Sequence, residues 1–184
     1  MTSPTPIASL PPRPDGAPPE IVHVIVETPK GSRNKLDYEP RLGVFALKKE
    51  MPAGHVFPFD FGFLPGTLGG DGDPLDVLVL MDDATYPGVL VEARLVGVFE
   101  AEQTERDGTR TENDRLVAVA ACSRRHADVR TLDDVGRATL DEIEHFFRSY
   151  NAETGKRFEV RARTGPARAA AIVDEGVARE RDAR

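Results

Sequence analysis

The chain has a single cysteine, Cys122. That excludes a disulfide framework within one chain and a zinc site built from cysteines. A catalytic thiol stays open, although a small semi-buried residue in a strand is the commoner use of a lone cysteine. No apolar run approaches the ~20 residues of a bilayer span, so no membrane partner is expected. The start lacks a basic stretch followed by an apolar one, so a secretory signal is not expected, and the location is read as cytoplasmic. A basic excess is missing too. The formal charge is −7, which argues against a nucleic-acid partner. His23, His55 and His126 show no metal-ligand spacing. Finally, Lys and Arg are absent between Lys49 and Arg94. That gap carries Glu50, Asp60, Asp71, Asp73, Asp76, Asp82, Asp83 and Glu92, directly after a stretch crowded with Lys30, Arg33, Lys35, Arg41, Lys48 and Lys49. Scattered charges are ordinarily solvated faces.

What is present is one domain's worth of globular sequence. There are 184 residues, 40% hydrophobic and 30% charged. Residues 1–19 hold Pro4, Pro6, Pro11, Pro12, Pro14, Pro18 and Pro19 and offer little to bury, so they read as a flexible tail ahead of a single domain over 20–184. Strands are expected over residues 21–27, 44–47, 56–61, 77–81, 89–99, 116–121 and 157–163, punctuated by Gly, Pro, Asp and Asn. Residues 29–34 read as a loop, and the polar segment 103–113 as an exposed hairpin turn around Asp107-Gly108. Thr131-Leu132-Asp133-Asp134 offers caps for a helix carrying Leu140, Ile143, Phe146 and Phe147 at helical spacing and ending near Tyr150. Gly165-Pro166 precedes a second helix over about 167–179. Many short strands followed by two helices indicate a mainly β, α+β architecture, a small closed barrel with helices packed outside.

One segment carries chemistry. Asp71-Gly72-Asp73-Pro74-Leu75-Asp76 places three carboxylates within six residues, with Gly69-Gly70 before it and the apolar run Val77-Leu78-Val79-Leu80 after it. In extended chain Asp71 and Asp73 face one way, and Pro74 fixes the backbone ahead of Asp76. Carboxylates held this close repel, which raises the pKa of at least one unless a cation intervenes. A hard cation such as Mg²⁺ suits a few carboxylates plus substrate phosphates. An Asp-rich surface turn is the plain alternative. A calcium EF-hand is excluded, since Leu75 and Asp76 fall where that loop needs an oxygen ligand and a glycine.

Asp71-Gly72-Asp73-Pro74-Leu75-Asp76-Val77-Leu78-Val79 resembles the signature of the soluble family I inorganic pyrophosphatases. Residues 26–35 resemble that family's first strand and loop, and Phe57-Pro58-Phe59-Asp60-Phe61-Gly62-Phe63 its Tyr-Pro-x-Asn-Tyr-Gly-Tyr segment. Pro87-Gly88, Val96-Gly97-Val98 and His145-Phe146-Phe147-Arg148-Ser149-Tyr150 follow in family order. The resemblance, running over about 21–163, implies a five-stranded OB-like barrel with two flanking helices. It implies hydrolysis of pyrophosphate to two phosphates with several Mg²⁺ ions, in a homo-oligomer that is usually a hexamer in bacteria. It implies that Asp71 and Asp76 ligate the ions that generate the attacking hydroxide, that Asp73 assists as general base, and that Glu27 holds a metal arriving with substrate. Lys35, Lys49, Arg115 and Tyr150 would grip phosphate oxygens.

The chain departs from that pattern in several places. Phe57 and Phe61 stand at usual tyrosines, Asp60 at an Asn, Leu36 and Asp37 at Tyr and Glu, Lys49 at an Arg, Arg115 at a Lys, and Asn151 at a Lys. In the loop before Leu116 the family has two metal-binding Asp residues, and Asn113 falls at one of them. Asp114 is adjacent, though strand alternation turns it the other way. Glu102 is the other candidate carboxylate, with Glu105 and Asp107 as alternatives. Two rival readings follow. One is a hydrolase of another phosphoanhydride, a nucleotide or polyphosphate, favoured by a pocket made more apolar by Phe57 and Phe61. The other is a phosphate-binding scaffold without turnover, favoured by Asn113.

Overall fold

A computed structural model describes residues 7–183. In chain order the strands are β1 (Ile21–Thr28), β2 (Asn34–Glu39), β3 (Val44–Glu50), β4 (Asp60–Phe63) and β5 (Asp76–Leu80), followed by β6 (Leu90–Thr104), β7 (Arg110–Glu112), β8 (Arg115–Ala120) and β9 (Arg157–Thr164). The helices are α1 (Leu132–Val135), α2 (Arg137–Ala152) and α3 (Pro166–Asp182), with a 3-10 turn at Ile7–Ser9.

Five strands close a ring. β1 pairs with β4, β4 with β5, β5 with β8, β8 with β6, and β6 returns to β1. Closure leaves none of the five with a free edge. Only β5 and β8 run parallel, and both are buried on both faces, which is why they read as continuous apolar runs rather than alternating ones. Their two faces serve two clusters. Leu78, Leu80, Val117 and Val119 pack with Ile143, Phe146 and Phe147 of α2. Val77, Val79, Leu116 and Ala118 pack with Ala169, Ile172 and Val173 of α3. Each large side chain buried this way contributes roughly 1.5–3 kcal/mol, against about 0–1 for an exposed ion pair, so the two clusters hold the fold. Gly62 lets β1 and β4 approach closely, because a Cβ there would stand 2.0 Å from the Ile25 carbonyl oxygen.

The expected mainly β architecture with two flanking helices is the one observed. The differences are local. β2 is largely polar and shows no strand signal in the sequence, yet it pairs with β3 as a separate two-stranded sheet. β4 begins at Asp60 rather than near residue 56, because Pro58 cannot donate to the ladder. The loop ahead of it instead docks on residues 31–32, with the Phe57 amide donating to Ser32 O (3.1 Å).

The proline-rich start also differs from a loose tail. The His23 amide donates to Pro12 O (2.8 Å), the Gly66 amide to Ala8 O (2.9 Å), and Arg13 pairs with Asp174 at 2.6 Å. Proline cannot form a ladder, but these carbonyls accept from a strand and a loop, so residues 7–19 are laid against the body. Residues 1–6 of the expected tail lie outside the described residues. Among the described residues, no helix is long and apolar enough to cross a membrane.

Candidate active site

A cavity of about 760 Å³ opens where β1, β2, the loop 64–75, the far end of β6, the start of β8 and the end of α2 meet. The loop is set by its own sequence. The Leu64 amide donates to Leu75 O (2.9 Å), Thr67 Oγ1 donates to Leu64 O (2.7 Å) and accepts from the Leu75 amide (3.1 Å). The Arg179 Nε donates to Leu68 O (2.8 Å), tying the loop to α3. The acidic segment is a turn, not extended chain. Asp71 Oδ1 accepts from the Asp73 amide (3.2 Å), and Gly72 takes a φ of 90° that other residues rarely adopt. Asp71 and Asp73 are exposed on this turn, and Asp76 is partly buried at the first position of β5.

Seven of the ten residues singled out from the sequence line this one cavity: Glu27, Lys35, Asp71, Asp73, Asp76, Arg115 and Tyr150. They come from β1, β2, the loop 64–75, β5, β8 and α2. Lys35 Nζ lies 3.5 Å from Glu27, contacts Asp37 more closely, and stands 4.5 Å over the ring of Phe61. Phe61, which lacks a tyrosine hydroxyl, therefore serves the site through its ring face. Arg115 is buried. It reaches Asp76 at 2.6 Å, hydrogen-bonds Asn113 and Asp114 O (3.1 Å), and packs over the rings of Phe147 and Phe158. Its Nε has no hydrogen-bond partner.

The electrostatics follow from this crowding. Burial pushes the Glu27 carboxyl up to about 7, against the pull of Lys35 and of the Tyr38 amide. Burial would lower Lys35, but Glu27, Asp37 and Asp76 outweigh it and hold the ammonium above its ordinary range. Asp73, though exposed overall, is raised by the protein packed around its turn and then by Asp71 and Asp37. Asp76 is raised by burial more than Arg115 and Lys35 lower it. Burial raises Tyr150, so its hydroxyl is a proton donor. All three carboxyls are thus shifted toward the neutral form, a shift that a hard cation would oppose.

Three of the ten sit elsewhere. Glu102 belongs to the outer side of β6, where it pairs with Arg161 (3.0 Å) and Arg110 (3.4 Å). Strand alternation sends its neighbour Gln103 into the cavity instead. Asp114 likewise turns away while Asn113 turns in, and its carboxylate accepts from the Ala101 amide (2.9 Å). Neither carboxylate lines this cavity, although Asp114 shares a smaller neighbouring one with Asp71, Asp76 and Asn113, and the amides of Gln103 and Asn113, hydrogen-bonded to each other at 3.1 Å, take that wall. Lys49 does not line the cavity but stands next to its Tyr150, 4.5 Å over that ring and 2.9 Å from Glu153.

Asp37, Lys48, Gln103 and Lys156 also line the cavity and were not among the ten, and so does Glu105, named above as an alternative to Glu102. Asp37 follows Lys35 by two, so recognising β2 as a strand would have placed both on one face. Glu105 and Lys156 pair at 3.0 Å across distant segments, which no local pattern signals.

The donor set facing the cavity offers carboxylates and amide oxygens, with no His or Cys. Among the described residues no three acidic, His or Cys side chains form a ready cage. Carboxylates and amide oxygens are the ligands that a hard cation such as Mg²⁺ takes.

The Glu27 carboxyl makes a stability prediction for the metal-free protein. Below its ordinary value of 4.5 it is protonated folded and unfolded. From there to about pH 7 the unfolded chain releases the proton and the folded one keeps it, so this contribution to stability is lost as pH rises. The urea midpoint is expected to fall between pH 5 and 8 more steeply in the parent than in Glu27→Gln. Parallel profiles would contradict the raised value.

The profile of the inorganic pyrophosphatase family matches residues 24–181. The inorganic pyrophosphatase of Halalkalibacterium halodurans is 37% identical over 161 residues, covering 88% of this chain and 96% of that protein. That of Thermus thermophilus is 40% identical over 139 residues, covering 76% and 77%. The crystal structure of the inorganic pyrophosphatase from Thermus thermophilus superposes with a TM-score of 0.86 at 34% identity over 96% of this chain and 99% of that one. One from Neisseria gonorrhoeae gives 0.82 at 29% identity, covering 92% and 96%. Sequence and architecture agree across nearly the whole length, and the chain belongs to the inorganic pyrophosphatase family.

Proposed function

We propose that this chain hydrolyses inorganic pyrophosphate to two phosphates in the cavity beside the acidic turn, with Mg²⁺ as the cation. The observation that carries this reading is that one cavity gathers the carboxyls of Asp71, Asp73, Asp76 and Glu27 with the donors Lys35, Arg115 and Tyr150. Pyrophosphate is a dense anion, and both its reacting and its leaving phosphoryl groups need charge compensation. Asp71 and Asp76, with Glu27, would hold Mg²⁺, which supplies charge neutralisation and acidifies water when bound. Asp73 is free to accept the proton of the attacking water, since its carboxylate is exposed on the turn. Lys35 is fixed by its two carboxylates and donates to phosphate oxygens, as do the Arg115 guanidinium and the Tyr150 hydroxyl. The aromatic wall of Phe57, Phe61 and Phe147 keeps water from the rear of the cavity, which strengthens each of these interactions.

The test is phosphate release from pyrophosphate with and without Mg²⁺. Release well above background only with Mg²⁺ is expected; none at saturating Mg²⁺ would overturn the reading. ATP and tripolyphosphate in the same assay separate it from hydrolysis of a larger phosphoanhydride, which the size of the cavity favours as the second reading. The homo-oligomer implied by the resemblance is supported by Leu42, Val44, Leu47, Tyr86, Val89 and Leu90, apolar side chains left exposed. Sedimentation gives the mass, and a monomer at micromolar concentration would count against it.

A further inference from the structure

Lys49 has an arrangement that the cavity alone does not explain. Its Cα pairs with that of Lys35 across β2 and β3, so the two lysines leave the hairpin on one face. Lys35 enters the cavity, whereas Lys49 crosses to the end of α2. There its Nζ stands 2.9 Å from Glu153 Oε2, 3.5 Å from Tyr150 O and 4.5 Å over the Tyr150 ring. Glu153, the residue that ends α2, is itself held. His55 Nδ1 contacts its other carboxylate oxygen, and His55 Nε2 lies 3.1 Å from Ser149 Oγ. The His55 ring meets Phe146 edge-on at 5.3 Å between centroids. Three chain segments thus fix one ammonium beside the one tyrosine that lines the cavity from α2.

We propose that Glu153, braced by His55, is a positioning residue that holds Lys49 beside the cavity for contact with the substrate's outer phosphate oxygens. This builds on the pyrophosphatase reading above. A lysine has four rotatable bonds and a strongly hydrated head, and left free it spends its time in solvent. Ordering such a side chain costs conformational entropy, and a partner that orders it beforehand removes that cost from substrate binding. The stack on Tyr150 keeps the ammonium beside a residue that lines the cavity. The competing role is purely structural. A cation near the last carbonyls of a helix also stabilises that helix, and on that account alone Glu153 and Lys49 would affect folding and not substrate affinity.

Lys49→Ala, Glu153→Gln, the double variant and His55→Gln separate the two. Steady-state pyrophosphate hydrolysis, calorimetric affinity for the non-hydrolysable analogue imidodiphosphate, and thermal melting are measured for each. Glu153→Gln is expected to raise KM and weaken analogue binding about fivefold to tenfold with kcat within about twofold. Lys49→Ala should do at least as much, and His55→Gln less. The double variant should be no weaker than Lys49→Ala, since the second change has nothing left to position. Unchanged KM and analogue affinity with a lowered melting temperature would reduce the pair to a helix cap and overturn the proposal. So would additive losses, or a fall in KM in Glu153→Gln, which would make the carboxylate a competitor of the substrate. The parent enzyme's rate reports on the pyrophosphatase reading separately, and the calorimetry tests the positioning role whatever that rate is.

Discussion

Replacing Asp73 by Asn is expected to lower kcat for pyrophosphate about 10²–10⁴-fold, the range for loss of a positioned general base, with the fold unchanged. Asn has the same shape, and the position is exposed on the turn. The backbone amide of residue 73 still donates to Asp71 Oδ1, so the turn is kept. What is lost is the carboxylate that accepts a proton. Asp73 is suited to that role because the surrounding protein, Asp71 and Asp37 raise its pKa toward the working range of a base. Circular dichroism and Mn²⁺ binding should match the parent, which separates loss of the base from loss of the cation site. A kcat within about fivefold of the parent would remove Asp73 from the role.

The second large effect is expected at Arg115. Its guanidinium is buried and bonded to Asp76 at 2.6 Å. Arg115→Met fills the volume and deletes the charge. The carboxylate of Asp76, already raised by burial, then loses the chief group that lowers it, so it is driven further toward the neutral form. Breaking a buried pair from one side costs about 3–5 kcal/mol, and partial exposure of Asp76 puts the expected loss near about 3 kcal/mol in urea denaturation. Turnover should fall as well, because a phosphate donor and the charge state of Asp76 change together. Arg115→Lys keeps the charge and gives up the fork and the stacking on Phe147 and Phe158, so it should recover most of the stability. Arg115→Met combined with Asp76→Asn should regain stability without regaining turnover. If Arg115→Met alone is as stable as the parent, the pair is not the structural link assigned to it.

Local chemistry explains what could be read without coordinates. The continuous apolar runs of β5 and β8, the helical spacing of α2 and the Gly-Pro start of α3 are each encoded within a few residues of where they act, whereas the Thr131 and Asp134 caps serve the short α1, and α2 starts separately after Gly136. The charge problem of the acidic segment was legible for the same reason, since three carboxylates fall within six residues, but its extended reading was replaced by a turn that Gly72 and the Asp71 side chain close. β2 was not legible, because a polar two-stranded hairpin carries no hydrophobic alternation. With β2 went Asp37, whose place beside Lys35 depends on the strand.

The sequence by itself determined the family, the architecture and seven side chains that meet in one cavity, because those features lie in short motifs or strong periodicities. Only the tertiary structure decided the rest. Side-chain alternation along β6 and at the start of β8 turned Gln103 and Asn113 inward and left Glu102 and Asp114 outside, a matter of register in which a shift of one residue reverses every side chain. The pairing of Glu153 with Lys49 and with His55 joins residues about a hundred positions apart in the chain, and only the packing of α2 against the hairpin and the loop after it brings them together.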